Sequence, residues 1–139
     1  MKKLFSLLTA FLLSAAFSQA ADPALVGTEW QLAQVGELKI GIMDYPPYIL
    51  LAEGSSTLEG HGSCNSFTGT YERNGDDLKF GPIAATKIFC PAELKNRIEK
   101  ALIKALGDTR KYAIVDGVLH LQDEKGETLA TFKWVAETE

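Results

Sequence analysis

The residues of this chain best suited to chemistry are its two cysteines, Cys64 and Cys90, and its two histidines, His61 and His120. His61 stands three residues before Cys64, as a base might beside a thiolate nucleophile, and the four side chains together have the donor types of a zinc site. Neither pattern is complete, because no C-x-x-C or H-x-x-x-H spacing occurs and nearness on one loop does not make a dyad. Ser55, Ser56, Ser63 and Ser66 lie near His61, yet there is no G-x-S-x-G elbow to expose a nucleophile. Asp76-Asp77 beside Asn74 lacks the alternating ligands of a calcium loop and reads as a solvated hairpin tip. No catalytic, cofactor-binding or metal-ligating residue is assigned, and the expectation is a protein that is not an enzyme.

What the cysteines do depends on compartment, and the first segment speaks to that. Met1-Lys2-Lys3 is followed by an apolar run from Leu4 to Phe17 and by Ser18-Gln19-Ala20, the pattern of a signal peptide cleaved after Ala20. The run is shorter than the roughly 20 residues that span a bilayer. No cysteine stands just after the cleavage site to take a lipid, where the residues are Ala21-Asp22-Pro23, so no stable membrane anchor is expected after cleavage. The expected product is periplasmic or secreted. In an oxidising compartment the two cysteines favour a disulfide, with two buried free thiols as the alternative. Closing that loop would restrict the unfolded chain by about 3.5 kcal/mol in the entropy model.

The chain has 139 residues, with 14 basic and 18 acidic residues and a formal charge of -4. Removing residues 1–20 takes away two lysines and leaves 119 residues at -6. That is one domain's worth of chain, and its acidity argues against nucleic acid or an anionic membrane held by a basic surface. The expected organisation is a signal peptide (1–20), a short lead-in (21–24), one domain (25–136) and a tail (137–139).

The elements that must position these residues follow from periodicity. Trp30 and Leu32 alternate in a strand from Gly27 to Leu32, and Lys39–Asp44 and Ile49–Ala52 flank the Tyr45-Pro46-Pro47-Tyr48 loop. Thr57–Gly62 reads as a short strand, and Phe67–Phe80 as a hairpin with a type I′ turn at Asn74-Gly75. One helix is expected from Pro91 to Leu106, ended by Gly107, with Leu94, Ile98, Ala101, Leu102 and Ala105 inward and Lys95, Glu99, Lys100 and Lys104 away from the core. Lys111–Val115, Val118–Gln122 and Glu127–Val135 close the chain as strands, the last with Ala130, Phe132 and Trp134 on one side. The result is an α+β domain, a strongly curved or barrel-like antiparallel sheet of about seven strands packed by one helix. Gly62, Asn65 and Gly69 are expected to shape turns, and Gly81–Thr86 to be an extended connection to Cys90.

Gly62-Ser63-Cys64-Asn65-Ser66-Phe67-Thr68-Gly69-Thr70-Tyr71, the stretch from Leu78 to Lys87, and Cys90-Pro91 resemble the META domain family, which includes the HslJ-like heat-shock proteins of the envelope. Gly27–Leu32 and Leu129–Trp134 fit the same pattern. The resemblance implies a small curved sheet or barrel with one packed helix, and Cys64 and Cys90 at the family's two characteristic cysteine positions. It also implies envelope or stress-related roles, including antibiotic tolerance in some members, and supplies no active-site residues. Ser63 departs from the family's pattern, standing where a third glycine is common. Leu38–Tyr48 is similar to the first strand of periplasmic solute-binding proteins, but those need two α/β lobes and a much longer chain.

The expected function is an exported stress-response or protein-binding module, monomeric, contacting another envelope protein or polypeptide. Tyr45 and Tyr48, on their proline-rich loop, are the candidate partner-binding residues. The alternative is a carrier of a small apolar ligand inside the curved sheet.

Overall fold

A computed structural model describes residues 21–136 together with the single residue Ala16. The rest of the expected signal peptide and the tail 137–139 lie outside the described residues. Along the chain come β1 (Glu29–Val35), β2 (Leu38–Lys39), β3 (Tyr48–Leu51), β4 (Thr57–His61), β5 (Ser66–Asn74), β6 (Asp77–Phe80), β7 (Ala84–Ala85), α1 (Glu93–Asp108), β8 (Lys111–Val115), β9 (Val118–Gln122) and β10 (Thr128–Trp134). Nine of the ten strands run in the order β10-β9-β8-β6-β5-β4-β3-β1-β2, β7 lies off this path, and a further β10–β1 pairing closes the sheet into a barrel. β2 pairs only with β1 and β7 only with β5, so eight strands form the closed circuit. The expected curved sheet with one helix is what the described residues form. The count rises from about seven because the two-residue strands β2 and β7 carry no periodicity to read.

Two bulges shape the barrel. Leu32 pairs with Phe132 but Gln34 with Thr131, which leaves Ala33 as an extra residue in β1 and turns Val35 back inward. This is why β1 runs past Leu32. Leu129 is the corresponding extra residue in β10, opposite β9. Trp134 does not follow Ala130 and Phe132 inward; it pairs with Trp30 at the strand's end and is 43% exposed. Lys39–Asp44 is strand only at Lys39: Ile40 still donates to the Ala33 carbonyl, and the ladder resumes where Leu32 donates to Pro47. Residues between them stand off the barrel as a flap.

Turn chemistry also differs from expectation. At Asn74-Gly75 only Gly75 has a positive φ (61°), and the two-residue loop is Gly75-Asp76, so the turn is not type I′. The type I′ signature sits between β8 and β9, where Asp116 (φ 51°) and Gly117 (φ 75°) are both left-handed.

Inside, Trp30, Ile49, Leu51, Leu58, Leu119, Leu121 and Phe132 are fully buried and fill the barrel. The Trp30 indole N–H donates to the Leu25 carbonyl at 3.0 Å, so its polar atom is satisfied. Ile98, Leu102, Ala105 and Leu106 of α1 complete the core. The helix starts at Glu93, not Pro91, because the Cys90 and Ala92 carbonyls both accept from the Asn96 side-chain amide and hold the entry turn. It passes through Gly107 and stops at Thr109, whose buried hydroxyl donates to Ala105. Leu94, expected inward, is 57% exposed: the buried residues of α1 begin only at Ile98, and towards this end the helix meets the 64–65 backbone through the Glu99 carboxylate.

Candidate functional site

The 61–65 loop leaves β4 and is held from three sides. Its backbone carries a strained residue, Ser63, at φ 100°. Ser63 donates its N–H to His61 Nδ1 at 3.2 Å. Glu99 of α1 accepts from the Cys64 N–H (2.9 Å) and the Asn65 N–H (2.7 Å) through Oε2, and from the Asn65 amide (2.7 Å) through Oε1. Asn65 Oδ1 in turn accepts from the Thr86 hydroxyl (2.9 Å) and the Ile88 N–H (2.6 Å). A disulfide joins Cys64 to Cys90, with the Cα atoms 5.9 Å apart.

Several expectations change here. Asn65 is not a local turn former but a buried bridge joining the loop, the 86–88 segment and the helix. Glu99, expected to point away from the core, is half-buried and turned to the 64–65 backbone. Gly62 is needed for space, since a Cβ there would come within 2.6 Å of the Glu99 side chain. Gly69 lies within β5, where a Cβ would come within 2.9 Å of Ile83. The Gly81–Thr86 connection contains β7, paired with Phe67 and Thr68. No sequence motif marks Glu99 and Asn96; their spacing on α1 carried only a weak hint, a polar pair one helical turn apart in the neighbourhood of the two cysteines.

The same loop forms one wall of a concavity of about 530 Å³ on the outside of the barrel. Its floor is the outward row Gln31, Tyr48 and His61 on neighbouring strands β1, β3 and β4. The opposite wall is the flap at Asp44, Tyr45 and Pro46, and Lys95 and Cys64 close the near side. Tyr45 is 82% exposed, whereas Tyr48 is half-buried on the outer face. Tyr48 also lines a second concavity of about 520 Å³, floored by Gly60, Ser66, Thr68, Ala84 and Ala85 and ending at Thr86. The two concavities share Tyr48 and together extend across β1, β3, β4, β5 and β7 as a trough with Tyr48 between them.

Tyr45, Tyr48, His61 and Cys64 are thus brought together, and His120 is not: it alternates with buried Leu119 and Leu121 on β9. His61 and Cys64 do not form a dyad, since the sulfur is in the disulfide and Nδ1 is occupied by Ser63. Ser55 and Ser56 are exposed in the turn before β4. Among the described residues no three His, Cys, Asp or Glu side chains cluster to hold a metal ion, and no helix is long and apolar enough to cross a membrane.

A small closed barrel with one helix and a cysteine-clipped G-x-C-N loop defines a class, and residues 23–136 match the META domain. The chain belongs to that family. Two solution NMR structures share the fold. One, from Burkholderia xenovorans, superposes with a TM-score of 0.64 at 22% identity, covering 86% of this chain and 96% of its own. The other has a TM-score of 0.63 at 21% identity, covering 78% and 90%. No curated protein matches the chain.

Proposed function

We propose that this META-domain chain is an exported, non-enzymatic binding module that seats an extended segment of a partner polypeptide in the trough, with Tyr45 and Tyr48 as anchors. One observation carries the reading: Tyr48 is the common wall of both concavities, and Tyr45 stands exposed at the rim. Four spacings between five neighbouring strands give a trough of about 19 Å, room for about six extended residues. At the end lined by Gly60, Ser66, Thr68, Ala84 and Ala85 the small side chains let a backbone approach closely, while the tyrosines supply rigid contact area. Export is supported by the basic start, apolar run and small residues before Ala21, and the disulfide is consistent with it. Stress response stands with export as part of this reading. The apolar-carrier alternative needs an interior cavity, and the side chains of Trp30, Phe132 and their neighbours occupy that space.

Photo-crosslinking side chains at positions 45 and 48, with exposed position 124 as control, test it in producing cells. The expected result is a discrete polypeptide adduct from 45 and 48 that is lost on Tyr48→Ala in the 45-probe protein. The same adducts from position 124, or none from 45 and 48, would refute it.

A further inference from the structure

The acidity of the chain is unevenly distributed. Between Lys87 and Lys104 lie five basic residues, Lys87, Lys95, Arg97, Lys100 and Lys104, against two acidic ones, Glu93 and Glu99. The remainder of residues 21–139 carries a formal charge of -9, so the net charge conceals a basic segment. All five cations are exposed, and only Lys104 is ion-paired among the described residues, with Asp108. Glu99 is turned inward to the 64–65 backbone.

The same segment displays Ile88, Phe89 and Leu94 at 64%, 87% and 57% exposure. These side chains stand on a loop and a first helical turn, outside both concavities of the trough. The loop is fastened from behind by the Ile88 N–H to Asn65, by the Cys64–Cys90 disulfide, and by the Asn96 amide to the Cys90 carbonyl. Exposed apolar side chains on a rigid projection lose little conformational freedom when they are buried. Projecting apolar side chains in a basic segment suit a surface that yields to them and carries negative charge.

We propose that this face docks on an anionic lipid surface, with Phe89 and Ile88 entering the headgroup boundary and Lys87, Arg97 and Lys100 facing the phosphates. This goes beyond the polypeptide-binding reading and uses different residues, so either can fail alone. The test is partitioning of the protein, as recovered from the producing cell and with its N-terminus established by intact mass, onto vesicles. Phosphatidylglycerol mixed with phosphatidylcholine is compared with phosphatidylcholine alone. Binding is expected to the anionic vesicles, weakened about fivefold for each of Lys87→Gln and Lys100→Gln and by added salt. Ile88→Ser with Phe89→Ser is expected to weaken it about tenfold. Because all four side chains are exposed, thermal unfolding of these variants stays at the wild-type temperature. Equal partitioning onto neutral vesicles, no partitioning onto either, or variants that bind like wild type would overturn the proposal. Binding to immobilised polyglutamate without binding to vesicles would also overturn it, in favour of an acidic polypeptide.

Discussion

Replacing Glu99 by alanine is expected to destabilise the protein by about 3 kcal/mol, although the residue lies on a helix face that reads as solvent-exposed. The substitution removes three hydrogen bonds made to one carboxylate, at 2.9, 2.7 and 2.7 Å. Two of the donors are backbone N–H groups that cannot turn elsewhere. An unpaired buried donor costs about 1–3 kcal/mol. Asn65 is only 7% exposed and falls in the upper part of that range, while half-buried Cys64 can recruit water and falls at the bottom. For a domain of this size that corresponds to a fall in Tm of about 12 °C. Glu99→Gln keeps an acceptor for the N–H groups but sets an amide against the Asn65 amide, and is expected to cost about 1.5 kcal/mol. Gly62→Ala pushes a methyl into the Glu99 side chain and disturbs the same contacts, so its effect should largely vanish in the Glu99→Ala background. Urea unfolding followed by tryptophan fluorescence, with buried Trp30 as reporter, measures all four proteins. The reasoning is refuted if Glu99→Ala costs under about 1 kcal/mol, or if alanine and glutamine cost the same.

Other consequences are open to direct measurement. The unfolded, unreduced protein should titrate with no free thiol, and Cys64→Ala with Cys90→Ala should lower stability by about 3.5 kcal/mol, read from urea midpoints. Gly60→Ala should cost about 2 kcal/mol, because its Cβ would sit 2.6 Å from the Tyr48 carbonyl and against the Phe67 ring; loss of Phe67 packing would appear in near-UV circular dichroism. Along α1, Leu94→Ser should leave stability within about 0.5 kcal/mol of wild type while Ile98→Ala costs about 3 kcal/mol, by thermal melts of both. Tyr45→Ala should leave the same melt unchanged, since its side chain is 82% exposed.

The strands β8 and β9 are read from the sequence with their observed ends, because alternation and the Asp116-Gly117 turn agree there. Alternation also placed the inward residues of β1 up to its bulge, Trp30 and Leu32, and those of β10 beyond its bulge, Ala130 and Phe132. It could not show the bulges, since an extra residue is settled by what lies across the ladder, nor that β10 returns to β1 to close the barrel. Similarly, helical periodicity found Ile98, Leu102 and Ala105 but extended the stripe to Leu94, because period alone does not say where the packed surface ends.

By itself the sequence determined a single acidic domain with alternating strands, one amphipathic helix, two cysteines and a tyrosine-bearing proline loop, since local periodicity, turn residues and composition act over a few neighbouring positions. Only the tertiary structure decided that Glu99 is turned to the 64–65 backbone, that Asn65 ties three segments together, and that Tyr45 and Tyr48 border a shared trough. Such relations join residues about 20 to 35 positions apart, and no local period encodes them, because they arise when closure of the barrel and the packing of α1 set distant backbone donors opposite one carboxylate.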